Sequence, residues 1–151
     1  MTQEDKELLL KDLCARASYG VICHYDCTVP SVGKVINYDR LNGIVPIQDT
    51  IGFMVGVHTV NALFDNIKPY LRPLSSMTEE EKKDILQSLN IHGDIDNEGN
   101  LRLGVECNII TLKVCKKYLG ELNKRMFDIC HMIEKGLALE APKGMYNIKK
   151  K

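Results

Sequence analysis

The chain has 151 residues, 44% of them hydrophobic and 26% charged, and its Lys and Arg balance its Asp and Glu at zero formal net charge. That is enough for one domain with a real core, or for two small lobes, and a neutral balance argues against the broad basic surface that nucleic-acid binding needs. Three Phe, six Tyr and no Trp are also too few for a base-stacking platform.

No run of about 18 apolar residues occurs, so no transmembrane helix is expected. The acidic, amphipathic start MTQEDKELLLKDL lacks the basic beginning and apolar core of a signal peptide. The expected setting is the cytoplasm, where Cys14, Cys23, Cys27, Cys107, Cys115 and Cys130 would be mostly reduced.

Residues 3–16 read as a first helix, with Leu8, Leu9, Leu10 and Leu13 as its apolar stripe. From residue 19 the period changes. Val21, Cys23 and Tyr25 alternate with Ile22, His24 and Asp26, as in a strand. Residues 32–38 read as a second strand, and 39–43 as a turn carrying Asn42-Gly43. Residues 44–47 read as a third strand, placed at an edge by Pro46. Residues 51–60, with Gly52 and Gly56, read as a bent strand or a tight hairpin. So many short strands in about 50 residues predict a small bent antiparallel sheet or an SH3-like barrel.

The clearest stretch follows. Pro69 and Pro73 hold an extended connector over residues 69–78. Thr78 and Glu81 then form a capping box, and Glu79, Glu80 and Glu81 supply the negative charge that a helix N-terminus favours. Ile85, Leu86 and Leu89 give this second helix its apolar face. Residues 96–100, DNEGN, predict a hairpin turn between Ile95 and Leu101. Residues 107–123 fit both a strand and a helix, and their length favours the helix. Asp128 is expected to cap a short helix ending at Gly136, and the tail from Ala141 to be loosely held.

The expected fold is therefore α+β. Residues 1–68 form a helix and the small sheet or barrel, 69–78 the Pro-rich connector, and 79–151 a mainly helical C-terminal half packed on it. Leu8–Leu13, Ile85, Leu86 and Leu89 are expected to share the interface.

Chemistry-bearing patterns are incomplete. Cys23, His24 and Cys27 are the closest group of soft ligands, but a zinc site needs four, usually as two tight pairs. Reduced, half-buried cysteines on a strand explain them as well. Asp94, Asp96, Glu98 and Gly99 resemble the start of a calcium loop. Its twelfth position should be Glu and is Val105, so a polar hairpin turn is the simpler reading. Six cysteines and four histidines allow many Cys–His pairs without favouring one. Gly52 and Gly56 do not match a phosphate-binding loop. No catalytic residue, metal ligand or cofactor is expected.

Three stretches, KELLLKDLCAR, IKPYLRPLSSMTEEEKKDIL and IEKGLALEAPKGMYNI, resemble a group of small proteins from Bacteroides-type gut bacteria and their phages and prophages. The resemblance covers both ends and the connector, and brings no functional residue with it. It implies a context: a phage-associated accessory or anti-defence factor that binds a host protein or sequesters a small nucleotide. The expectation is thus a non-enzymatic binding or interaction protein. A nucleotide-binding form would use Arg40, Arg72 and Lys68 as anion contacts. The alternatives are a small enzyme with an unannounced Cys/His or acidic site, and a nucleic-acid-binding β-barrel module. A protein partner or a small nucleotide is the expected ligand. Nucleic acid and membrane are not expected partners, and a homo-oligomer is compatible with the sequence.

Overall fold

The computed structural model describes residues 1–29, 33–40, 42–47, 50–55, 58–104 and 111–146. Over 27–29, 33–40, 42–47, 54–55 and 58–60 the description is of the backbone alone. The fold is α+β, as the sequence predicts.

Helix α1 (Gln3–Ala17) starts with a capping box: the Thr2 hydroxyl accepts from the Asp5 N–H, and the Asp5 carboxylate accepts from the Thr2 N–H. Strand β1 (Ile22–Val29) follows, paired antiparallel with β2 (Gly33–Arg40). The alternation read from the sequence holds: Val21, Cys23 and Tyr25 face the core, while Ile22, His24 and Asp26 are only partly covered. Strands β3 (Asn42–Ile47), β4 (Thr50–Val55) and β5 (His58–Leu63) form a second, three-stranded antiparallel sheet. Pro46 lies on β3, an edge strand of that sheet. There its missing N–H leaves one side of the ladder intact. Edge-to-face packing of Tyr25 on Phe53, ring centroids 5.1 Å apart, links the two sheets.

The expected turn at 39–43 does not form a hairpin. Asp39 and Arg40 continue β2, opposite Cys23 and Ile22, while Asn42 already pairs with Met54 in the other sheet. Leu41 lies outside the described residues. The Asn42-Gly43 pair instead adjoins a register shift between Asn42 and Val45, where a bulge re-aims the strand. Among the described residues the ladders do not close, and there is no SH3-like barrel.

A single 3-10 turn leads from β5 into β6 (Ile67–Leu71), which takes the free side of β1. Pro69 is thus part of a strand, opposite Cys23, and the connector proper is residues 73–78. Helix α2 (Glu79–Leu89) begins with the expected capping box on Thr78 and Glu81 and ends on Asn90 in the left-handed conformation. The short hairpin of β7 (Gly93–Ile95) and β8 (Leu101–Leu103) follows. Its turn is closed by Asp96, whose carboxylate accepts the N–H groups of Glu98 and Asn100. The helical choice for the ambiguous stretch is right: α3 (Leu112–Lys124) is capped by Thr111, and residues 105–110 lie outside the described residues. The Tyr118 hydroxyl on α3 donates to the Gly99 carbonyl, 2.8 Å away. Burial, with Asp96 nearby, pushes that phenol up to about 12.

Two expectations about the C-terminal stretch are corrected. Residues 128–136 form turns, not a helix. The Asp128 carboxylate does cap, accepting the N–H groups of Met132 and Ile133 at 2.8 and 2.9 Å, but His131 takes φ 54° and Gly136 φ 71°, which a helix cannot continue. Residues 141–146 are also held. β9 (Leu139–Glu140) pairs in parallel with β6, the Ala141 N–H reaches the Leu71 carbonyl, and the Tyr146 hydroxyl accepts the Ile22 N–H and donates to the Tyr70 carbonyl.

Apolar residues fall into two clusters. Leu9, Leu13, Val21, Cys23, Phe53 and Met126 belong to the first, and Met77, Ile85, Leu89, Tyr118, Leu122 and Phe127 to the second. The expected shared interface of Leu8–Leu13 with Ile85, Leu86 and Leu89 is therefore not formed directly. The join is made at Met126 and Phe127, adjacent residues that serve one cluster each. Arg16, fully buried, fixes that point: its guanidinium holds both carboxylate oxygens of Asp12 and donates to the Phe127 carbonyl, each at 2.8 Å.

Removing one half of a buried pair strands the other charge, at a typical cost of about 3–5 kcal/mol. Arg16→Met is expected to lose stability on that scale in urea unfolding. Adding Asp12→Leu to Arg16→Met should restore most of the loss. A double variant no better than the single one would show that the Phe127 contact, not the pairing, is what matters.

Candidate functional site

A depression of about 630 Å³ opens among the described residues, within the range of small-ligand sites. It lies between two segments. One wall is the connector and the first turns of α2, with Arg72, Pro73, Ser76, Thr78, Glu80, Glu81 and Asp84. The other is the strap that follows β9, with Glu140, Ala141, Pro142, Lys143, Gly144 and Tyr146, and Arg125 lies between them. The prolines and capping box that made this stretch legible set the first wall. The Tyr146 and Ala141 hydrogen bonds set the second.

Arg72 is the best-ordered polar group here. It donates to both Glu81 carboxylate oxygens, at 2.7 and 2.9 Å, and to the Ser76 carbonyl at 3.3 Å. Its guanidinium carbon lies 4.4 Å from the centre of the Phe127 ring, a cation–π contact. Its backbone is clamped as well: the Arg72 N–H donates to the Met126 carbonyl, and its carbonyl accepts the Asp128 N–H. Burial pushes the Glu81 carboxyl up. Arg72's hydrogen bonds, the Thr78 N–H and Arg72's charge outweigh burial and leave the group below the usual glutamate range. Arg125 is held in the same way by Glu121, one helical turn before it on α3.

With both arginines paired, the groove's remaining charge is negative. Asp84 and Glu140 stand against Lys143 among its described lining residues. An i, i+4 spacing puts Glu80 and Asp84 on one side of α2.

Of the three residues expected to contact an anion, Arg72 lines this groove but is engaged by Glu81, and Lys68 is not among its lining residues. Lys68 lies on β6 opposite His24, and Arg40 ends β2 opposite Ile22, so both belong to the four-stranded sheet. The Arg40 side chain lies outside the described residues. Arg125, Asp84 and Glu140 were not singled out from the sequence. The i, i+4 pair of Glu80 and Asp84 was a signal available there, and the fold-back of residues 140–146 was not.

The cysteines divide by depth. Cys23 is fully buried, and burial, with Asp12 nearby, pushes its thiol well up. Burial also raises the half-buried Cys130 thiol. Both are therefore held as thiols rather than as the reactive thiolate. Cys14 and Cys115 are exposed, and Cys27 and Cys107 lie outside the residues whose side chains are described. The acidic hairpin is organised around its own backbone through Asp96. Among the described residues no three His, Cys, Asp or Glu side chains converge as metal ligands, and no helix is long and apolar enough to cross a membrane.

Compared with protein-family models, curated proteins and solved structures, the chain matches none.

The Arg72–Glu81 pair carries a pH signature. A carboxyl lowered in the folded state stabilises fully above its unfolded value near 4.3 and loses that contribution as pH falls through the folded value. Glu81→Gln should cost on the order of 1 kcal/mol at neutral pH, the upper end for a partly exposed pair. The gap between wild type and variant in urea unfolding should close below about pH 4. A gap that persists at lower pH would assign the cost to the cap geometry rather than to charge.

Proposed function

We propose that this chain is a non-enzymatic binding protein, and that the groove between α2 and the 140–146 strap holds a lysine- or arginine-bearing segment of a protein partner. The observation that carries the reading is the groove's charge. Arg72 and Arg125 are neutralised by Glu81 and Glu121, which leaves Asp84 and Glu140 at the groove against Lys143. A site of that sign attracts cationic groups and repels phosphates. Rigid walls add to it, because a preformed groove avoids the entropy of ordering loops on binding.

A nucleotide sponge is the weaker form of the same reading. Its best-placed cation, Arg72, would have to give up a bidentate partner, and Lys68 and Arg40 lie on the sheet instead. An enzyme built on Cys23 or Cys130 is weaker still, because burial pushes both thiols up. The resemblance of both ends and the connector to proteins of gut bacteria and their phages adds a setting: a cytoplasmic accessory factor that engages a host protein, with inhibition of a defence enzyme as one use.

The test is an amide NMR titration with two probes, pentalysine and ATP. Pentalysine should shift the signals of Thr78, Asp84 and Gly144 at low salt. Asp84→Asn combined with Glu140→Gln should weaken it about tenfold, since exposed charge pairs contribute up to ~1 kcal/mol each. ATP should leave these signals in place. Shifts caused by ATP and lost in Lys68→Ala would sink the proposal and favour the sponge.

A further inference from the structure

Helix α3 has two apolar sides, and only one is covered. Tyr118 and Leu122 are buried in the second cluster. Leu112 is 80% exposed and Leu119 47% exposed, two of the five large hydrophobic residues left open among the described ones. Cys115 between them is exposed too. The spacing i, i+3, i+7 sets all three on one stripe, which covers about 10 Å at the helical rise.

The charge beside the stripe has one sign. Lys113, Lys116 and Lys124 are exposed. Lys117 is tied back to the Ser88 carbonyl of α2, and the helix's one carboxylate, Glu121, is paired with Arg125. Lys116 follows Leu112 by four residues and precedes Leu119 by three, so it stands at the edge of the stripe. In a chain of zero net charge, this is a local concentration of positive charge around exposed leucines.

We propose that this face of α3 docks an acidic amphipathic helix of a protein partner. An apolar stripe two turns long fits helix-against-helix packing, in which a partner's stripe at i, i+3 and i+7 lies along it. The lysine row then selects glutamate or aspartate beside the partner's own stripe. A second copy of this chain is disfavoured, because pairing two such faces would oppose lysine to lysine. A membrane surface is disfavoured because the stripe lacks the Trp and Phe anchors of interfacial helices. Nucleic acid would use the lysines and leave Leu112 and Leu119 without a role. The surface is separate from the groove and is read by a different probe, so failure of either assignment leaves the other standing.

The experiment uses the full-length protein and a fluorescein-labelled synthetic peptide, helix-forming, with leucines at i, i+3 and i+7 flanked by glutamates. Fluorescence anisotropy should show binding at low salt. Leu119→Ser should weaken it about tenfold, the scale of losing one interface anchor. Lys113→Glu with Lys116→Glu should weaken it at least as much. Bound peptide should slow iodoacetamide alkylation at Cys115 and leave Cys14 unchanged, a readout that needs no variant to fold. Several results would overturn the proposal. These are no binding, equal binding by Leu119→Ser, or an alkylation rate at Cys115 that peptide does not change. Binding instead to vesicles of phosphatidylglycerol and phosphatidylcholine, lost in Leu119→Ser, would reassign the face to a membrane. A dimer in sedimentation that Leu119→Ser dissociates would reassign it to a second copy.

Discussion

Everything in this fold passes through residues 126–128. On one side the Phe127 carbonyl is held by Arg16, which Asp12 holds in turn at the bottom of α1. On the other, the Phe127 ring lies under Arg72, whose guanidinium grips the glutamate that caps α2. The backbone of the same segment bridges to Arg72. A buried arginine is costly to desolvate, and Arg16 keeps one nitrogen, Nη1, without a hydrogen-bond partner among the described residues. Its return is positional: it sets where Met126 enters one cluster and Phe127 the other. Met126 takes φ 60° while buried, a strained conformation for a side chain of its size. Such strain persists only where the surroundings over-determine it. Here the Arg16–Asp12 and Arg72–Glu81 ion pairs and the backbone hydrogen bonds that tie Met126 and Asp128 to Arg72 do so.

The groove follows from that junction. Arg72 belongs both to the clamp and to the groove wall, so the wall is as rigid as the core behind it. The opposite wall is built from a short strap, and it depends on Tyr146, whose hydroxyl ties β1 to β6. The two arginines near the opening are structural and their charge is spent internally. The carboxylates there are surface groups. That division gives a neutral protein an acidic recess.

Local signals were readable from the sequence where short-range physics decides them. Both capping boxes, the β1 alternation, the edge position of Pro46 and the DNEGN hairpin depend on neighbours a few residues away. The capping box of α1 was not singled out, although Thr2 and Asp5 carry it. What failed was set by distant partners. Asn42-Gly43 reads as a hairpin turn in isolation, but the chain there changes sheets. Asp128 reads as a helix cap and does cap two N–H groups, yet Arg72 pulls the segment before it into a strand-like bridge and no helix follows. The strap was expected to be loose because its composition is that of a tail, and its anchors are distant in sequence: the Ala141 N–H reaches Leu71, and Tyr146 reaches Ile22, 124 residues away. Arg72 was expected to be an anion contact of a nucleotide-binding form. Its partner Glu81 was already identified, but as a cap, and nothing in spacing shows that one carboxylate serves both roles.

Zero net charge was the first number the sequence offered, and it argued against a large electrostatic surface. That inference holds for the whole and fails for the parts. The first turns of α2 and β9 concentrate carboxylates around the groove, and α3 concentrates lysines around an exposed leucine stripe. Screening at physiological salt limits each field to about 8 Å. A partner approaching either surface therefore meets local charge rather than the balanced total. A protein built in this way can present two faces of opposite sign without the self-repulsion that a large net charge would bring. Composition alone could not separate this arrangement from an evenly mixed surface, because both give the same sum.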